Sequence, residues 1–420
     1  MKIKKTVRLR FIWCFTSLLL CCTEAAGQKK KDAADVLFPL MAWDDVRDAA
    51  TIQKMAACGI NTIAFVPARL LGACKKYGVK AILFDDRVTP RWDKPFNAAV
   101  AEPVLKELVK KYNGHPAVFG YHLKDEPGDD QLAELGKSAR MMKDMAPGKW
   151  AYINLNPGYG GWYDSSHIQK FIDLCHPKFL SYDNYAIGEW DRHSFSWGYW
   201  ANIWDMRSAS LRNNIPFHTI LLTAGHFGYR APSFNDLMLQ VYGALAYGAQ
   251  GLGYYKVVGE TLHLLEAPDL GNWNGAPLDE FHEPNPQPYY NLQKMNKRIQ
   301  TMAPVLVNLK STDVYHILGD SIPPRNHGIT PSSLIQGMEN GAAFIVGEFV
   351  HKKDGSVWML IVNKDLKAST FLRPKFAPGV NPSSIKIFSQ VTGELIDWPG
   401  IWYSLEPGQG VLLKINDTGR

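Results

Sequence analysis

The chain is 420 residues long, 46% hydrophobic and 12% aromatic, with a formal net charge of +6 at pH 7. A chain of this length can bury a large core and exceeds a usual single domain, so one large domain plus a smaller one is the expected organisation. The excess charge sits at the amino end: residues 1–27 hold five cationic side chains and one anionic, Glu24, and without them +6 becomes +2, a nearly neutral surface that gives no reason to expect nucleic acid or anionic lipid as a partner.

The first element is a leader. Residues 1–10 carry the five cations, residues 11–22 form an apolar run, and the small-residue stretch 23–27 follows. The run is too short to cross a bilayer as a helix, and the three parts together have the layout of a secretory signal, so the mature chain is expected to be exported, either periplasmic or secreted. Cleavage is expected after Gly27, where Ala25-x-Gly27 suits signal peptidase. Leu18 to Cys22 loosely matches a lipoprotein box, and only by that route, as a lipid anchor at the cell surface, would the chain meet a membrane. Lys29, Lys30 and Lys31 read as a solvated tether. Of six cysteines, Cys14, Cys21 and Cys22 lie in the leader. The remaining Cys58, Cys74 and Cys175 are too far apart for a disulfide framework or a metal spacing, and are expected as small core residues. No cofactor or metal is implied.

From residue 36 onward, eight short apolar, β-rich runs alternate with segments of helical period. The predicted strands are 36–43, 60–66, 79–84, 117–123, 150–155, 179–182, 217–223 and 251–257. Between them, 45–57 and 102–112 show apolar residues at helical spacing, with Gly59, Gly78, Gly114 and Gly248 placed as left-handed caps. Eight βα units close a (β/α)₈ TIM barrel, and the absence of a Gly-x-Gly-x-x-Gly opening any helix argues against an open doubly wound sheet. After a loop rich in Pro, Asn and Gly, 289–302 reads as the last barrel helix. Composition changes near Val305. Alternating strand patterns follow, with turn signals at Asn340-Gly341, Asp354-Gly355 and Thr392-Gly393, predicting a small antiparallel β-sandwich. The expected division is a signal peptide 1–27, a barrel catalytic domain 28–304 and a β-sandwich domain 305–420.

In a barrel of this kind the chemistry sits at the carboxyl ends of the strands. Those ends are Trp43-Asp44, Asp85-Asp86, His122-Leu123-Lys124-Asp125-Glu126-Pro127, Asn154-Leu155-Asn156, Tyr182-Asp183-Asn184-Tyr185, Thr223-Ala224-Gly225-His226 and the stretch from Lys256 to Glu260. Carboxylates, amides and aromatic rings converging on one mouth, without a thiol cluster or a nucleophile elbow, suit glycoside hydrolysis better than acyl or phosphoryl transfer. The candidate sugar contacts are Trp43, Asp44, Asp85, His122, Asp125, Asn154, Asn156, Tyr182, Tyr185, His226 and Glu260. Tyr163, Trp190, Trp197, Trp200 and Trp273 are further rings near strand ends, with core packing the expected role for at least two of the aromatics there.

The segment Gly120-Tyr121-His122-Leu123-Lys124-Asp125-Glu126-Pro127 resembles the strand-four signature of clan A glycosidases. The run from Leu239 to Tyr255 resembles the approach to strand eight in family 42-like barrel proteins, and Glu406-Pro407-Gly408-Gln409-Gly410-Val411 is similar to the last strand of their β-domains. The resemblance implies that Glu126 is the acid/base. It departs from the clan at strand seven, where the usual nucleophilic Glu is replaced by Thr223-Ala224-Gly225-His226. Asp183, between Tyr182 and Tyr185, is the expected substitute as base or nucleophile, and an Asp holding a hydrogen-bond network is the competing role for it. Glu260 is the third choice. Carboxyl groups about 5 Å apart would indicate retention, roughly 6.5–9.5 Å inversion, and more than about 12 Å would remove Asp183 from the pair. Two other uses of the same residues stand beside this one: a hexosaminidase in which Asp125 and Glu126 assist the substrate's own acetamido group, and a non-catalytic carbohydrate-binding barrel.

Overall fold

The computed structural model describes residues 37–88, 95–157, 165–187, 197–226, 228–259, 273–317 and 322–416. The segment expected to be a leader, its expected cleavage site, the expected lysine tether, Tyr163, Trp190 and Glu260 lie outside the described residues, as does the side chain of Trp197.

Eight strands, β1 (Leu40–Asp45), β2 (Thr62–Val66), β3 (Lys80–Leu83), β4 (Val118–Asp125), β5 (Trp150–Asn154), β6 (Leu180–Asp183), β7 (Phe217–Leu222) and β8 (Leu252–Tyr255), form one sheet in the order β5-β4-β3-β2-β1-β8-β7-β6, with every paired neighbour parallel. β5 and β6 meet through a bridge between Leu155 and Tyr182, which brings the sheet nearly to closure. Each strand is followed by a helix: α1 (Ala49–Ala57), α2 (Leu71–Tyr77), α3 (Ala98–Tyr112), α4 (Leu132–Met145), α5 (Ser165–Cys175), α6 (Trp197–Asn213), α7 (Phe234–Ala246) and α8 (Pro286–Leu306). This is the (β/α)₈ barrel expected from the alternating pattern.

Local chemistry accounts for the helix ends. Asp48 accepts from the amide of Thr51 at 2.9 Å to start α1, and Ser233 and Asp236 make a reciprocal capping box at the start of α7. Gly59, Gly78 and Gly248 take the left-handed conformation expected of them. Gly114 does not; α3 already ends at Asn113, whose amide returns to the carbonyl of Val109.

The barrel interior is filled by Met41, Trp43, Ala64, Ile82, Tyr152, Phe179 and Ile220, alternate residues whose side chains share the inner face. Two histidines complete this packing. The ring of His122 lies among Trp43, Phe65, Phe84 and Tyr152, and that of His218 stacks on Phe179 at 4.4 Å. Burial pulls both imidazoles down to about 3, so they are neutral core residues at neutral pH. Cys58, Cys74 and Cys175 are buried free thiols.

Beyond α8 the chain is antiparallel. A six-stranded sheet runs in the order β16-β15-β18-β12-β11-β9, built from β9 (Leu309–Ile317), β11 (Phe344–His351), β12 (Val357–Asn363), β15 (Ile385–Phe388), β16 (Leu395–Asp397) and β18 (Gly410–Ile415). Two small ladders, β10 (Ile335–Met338) with β14 (Pro374–Phe376) and β13 (Thr370–Phe371) with β17 (Ser404–Leu405), share a core with its inner face through Ile335, Met338, Leu372 and Leu405.

The outer face of β11, β12 and β18 does not face water. It packs on α7, which is buried from Asp236 to Ala246. A methyl group at Gly347 on β11 would stand 2.1 Å from the carbonyl oxygen of Ala246, so the backbones touch there. Covering both faces explains why β11 and β12 read as continuous apolar runs rather than as alternating ones.

Candidate active site

The site is built where β4, β5 and β6 end. Asp125 pairs with Asn154 across the β4–β5 ladder, and the amide of Glu126 donates to the carbonyl of Asn154 at 2.9 Å. On a regular strand, consecutive side chains point to opposite faces. Here Asp125 and Glu126 both reach the same cluster, and the alternation breaks at Glu126, whose φ of 46° is left-handed. A non-glycine residue there costs on the order of 1 kcal/mol and is held by its surroundings.

Asn154 organises the cluster. Its Nδ2 donates to Asp183 Oδ1 at 2.8 Å and to Asp125 Oδ1 at 3.2 Å, and its Oδ1 accepts from the Ser181 hydroxyl at 2.9 Å. The Ser181 hydroxyl is bonded in turn to that of Tyr152 at 2.6 Å. Glu126 and Asp183 lie close enough that each carboxyl bears on the other's proton, an interaction that raises Asp183 and lowers Glu126. Two carboxyl groups so placed share a proton, because both cannot be ionised cheaply at that distance. Burial raises all three acids: Asp125 to about 7, with the Glu126 charge as second cause; Glu126 upward; and Asp183 well above the usual carboxylate range, with the charges of Glu126 and Asp125 adding to its burial.

One wall of the mouth is aromatic. Tyr185 stacks on Tyr255 with centroids 5.5 Å apart and meets His226 and Tyr229 edge-on. His226 stacks on Trp273 at 5.8 Å, and the Trp273 indole donates to the Tyr255 hydroxyl at 3.1 Å. Burial lowers the His226 pKa, and its Nδ1 donates to the carbonyl of Ala224 at 3.0 Å. The hydroxyls of Tyr185 and Tyr229 are raised by burial and then by the Asp183 charge, which places both beside the carboxyl cluster.

The other residues named from the sequence take different places. Asp44 is saturated: its oxygens accept from the amides of Asp45, Val257 and Val258 at 2.9, 2.9 and 2.7 Å, with the Lys256 ammonium 3.6 Å away. It ties the end of β1 to the segment after β8. Asp85 is held by Arg87 through two side-chain bonds of 3.0 and 2.8 Å, which lower its pKa. His122, 1% exposed, and Trp43, 5% exposed, belong to the packed interior beneath the mouth. Tyr182 lies between Ser181 and Asp183, which both face Asn154, so its buried ring points to the opposite face of β6, toward the helices. Asn156 is half-buried beyond Asn154. Trp200 packs in the core against Tyr247 at 5.8 Å.

Sequence reasoning did not single out Tyr229, Tyr255 or Lys124. Tyr255 closes β8 and was legible as a strand end. Lys124 is fully buried and its charge acts on Asp125 and Glu126. Only alternation along β4 hinted that it faces inward with Glu126.

No family model matches the chain, and no curated protein matches it. Among solved structures, it is similar to a glycoside hydrolase family 5 protein from Bacteroides vulgatus ATCC 8482, at 11% identity over 90% of this chain and 89% of that one, with a TM-score of 0.59. It is also similar to a GH42 beta-galactosidase from G. stearothermophilus, at 9% identity over 90% of this chain and 98% of that one, with a TM-score of 0.54. Against a beta-galactosidase from the psychrophilic Marinomonas ef1 the identity is 12%, and the chain spans 62% of that protein's length. At such identities the likeness is one of architecture: the chain has the (β/α)₈ fold, with an antiparallel β-region after it, that is seen in barrel glycoside hydrolases of families 5 and 42.

Proposed function

We propose that this protein is an exported glycosidase that cleaves O-glycosidic bonds of an oligo- or polysaccharide, with Glu126 as proton donor and Asp183 as nucleophile. The observation that carries the reading is the close pair of buried acids Glu126 and Asp183, with Asp183 held by Asn154, at the carboxyl ends of the strands. Glycosidases work with two carboxyl groups, one to protonate the leaving oxygen and one to attack or to activate water. Carboxyl groups about 5 Å apart act with retention and those roughly 6.5–9.5 Å apart with inversion, and two acids that bear on each other's proton suit the closer class. Burial and the neighbouring acids favour the proton on Asp183 in the resting site, so the reaction requires it to pass to Glu126 as the sugar binds, a transfer that the Asn154 amide, donating to Asp183, favours.

In the first step the Glu126 proton passes to the glycosidic oxygen, the bond from that oxygen to the anomeric carbon breaks, and an Asp183 oxygen bonds to the anomeric carbon. In the second, water attacks that carbon and gives its proton to the Glu126 carboxylate, and Asp183 leaves as the anion. Tyr185 and Tyr255 offer aromatic surface for the sugar, and Tyr229 a hydroxyl. The leader supports export.

One observation favours a second reading. Asp125 shares the Asn154 amide with Asp183 and titrates near neutrality, at about 7. Asp125 and Glu126 could thus work as the adjacent pair of an acetamido-assisted hexosaminidase, with the sugar's acetamido oxygen as nucleophile. Sugar release from a panel of plant, host and microbial glycans, for the wild type, Glu126→Gln and Asp183→Asn, tests both. Turnover that falls by orders of magnitude in both variants, on substrates without an acetamido group, is the expected result. Cleavage confined to 2-acetamido sugars would favour the second reading, and glycan binding without turnover a carbohydrate-binding barrel. Equal activity in Glu126→Gln would discard the site.

A further inference from the structure

The barrel wall has a seam on the side away from β1. β5 and β6 are the two ends of the sheet order, and among the described residues the Leu155 amide, donating to the Ser181 carbonyl at 2.8 Å, joins them near the mouth. Among the described residues no ladder pairing joins the two strands below that bridge. A cavity of about 220 Å³ opens there, at the amino-terminal ends of β5 and β6, between the strands and α4 and α5.

Its two linings differ in chemistry. The inner wall is apolar and aromatic, with Ile153, Phe171 and Phe179 buried and Trp150 half-buried. The rim is basic: Lys143, Lys149 and Lys178 line it, and no Asp or Glu does. Lys80 stands close enough for its charge to act on Lys149, as that of Lys143 acts on Lys178. Burial first, and then these like charges, lower the pKa of both Lys149 and Lys178.

The Lys149 and Lys80 ammonium groups rest on the carbonyls of Val118 and Pro116, at 2.5 and 3.3 Å. None of these four lysines pairs with a carboxylate among the described residues. The carbonyl end of a helix attracts cations by about 0.3–1 kcal/mol, which accounts for Lys143 in the last turn of α4. It does not account for Lys80 or Lys149, which sit at the starts of strands.

We propose that this cavity is a binding site for a small organic anion with a flat apolar body, of the size and chemistry of benzoate. Its volume is that of about seven water molecules at ~30 Å³ each. The ring would lie against Ile153 and Phe171, and the carboxylate would face the lysines, replacing their mutual repulsion with attraction. The site lies at the opposite end of the barrel from Glu126 and does not depend on the glycosidase reading.

Isothermal titration of the protein with benzoate and with its neutral counterpart benzyl alcohol tests this. One saturable benzoate site is expected, with benzyl alcohol at least tenfold weaker. The exposed double change Lys143→Glu/Lys178→Glu should weaken benzoate at least tenfold with the melting temperature unchanged, and Ala139→Phe, which fills the cavity from α4, should abolish binding. Glu126→Gln should bind benzoate as the wild type does. No saturable binding, equal affinity for the alcohol, or full affinity in the double variant would overturn the proposal. Loss of binding in Glu126→Gln would also overturn it, because it would place the anion in the barrel mouth.

Discussion

Asn154→Ala isolates the electrostatics of the cluster. The change removes a buried amide that donates at 2.8 Å to Asp183 and at 3.2 Å to Asp125, and both bonds favour the ionised acids. A hydrogen bond to a charged group is worth about 1.5–3 kcal/mol, and one pKa unit corresponds to about 1.4 kcal/mol. Loss of the amide should therefore raise the titration of the Asp183–Glu126 pair by roughly 1–2 units. The reaction needs the pair singly ionised, so the acid limb of kcat/KM against pH should move upward by that amount. The loss should be largest on the acid side and shrink as pH rises. The limb belongs to the coupled pair rather than to one residue, and it reports the free enzyme. A uniform fall in activity with the limb in place would mean that Asn154 only shapes the site. A limb that moved to lower pH would refute the assignment of the charged partner.

Three further outcomes follow from the packing. Asp125 is raised to about 7 in the folded chain, from an ordinary value of 3.8, chiefly by burial. Its ionisation therefore opposes folding: the stability is fully present below pH ~4 and is lost as pH rises to ~7. Asp125→Asn should melt at least a few degrees higher than wild type at pH 8, with the gap closing near pH 4, and a gap that is constant with pH would contradict this. Asp44→Ala leaves the buried amides of Val257 and Val258 without their acceptor, at about 1–3 kcal/mol each. Urea unfolding should show a loss of several kcal/mol, and a near-neutral effect would return Asp44 to the list of sugar contacts. Gly347→Ala forces a methyl group onto the Ala246 carbonyl, an overpacking worth about 1–3 kcal/mol. Calorimetry should show the barrel and the β-region losing stability together, whereas a shift confined to one of two separate transitions would refute the shared interface.

The order of elements was legible in the chain. Each strand of the barrel has an apolar run of about the right length, bounded by turn or cap residues, and predicted and observed strands differ by a few residues at their ends. That Glu126 and Asp183 would come together was legible for the same reason, since strand ends in this fold converge on one mouth. Side-chain direction was less accessible. Asp44, His122 and Tyr182 stand at or near strand ends like the others, yet one is consumed by backbone amides, one is packed in the interior and one faces the helices.

What the sequence by itself determined, then, is periodic: which segments are strands, which are helices, and which residues fall at the carboxyl ends, because period and capping act over a few residues. What only the tertiary structure decided is convergence. Asn154 bridging Asp125 and Asp183, the shared proton between Glu126 and Asp183, and the sheet that seals α7 all join residues distant in the chain. Their pKa values and burial depend on distances in space, on which local spacing is silent.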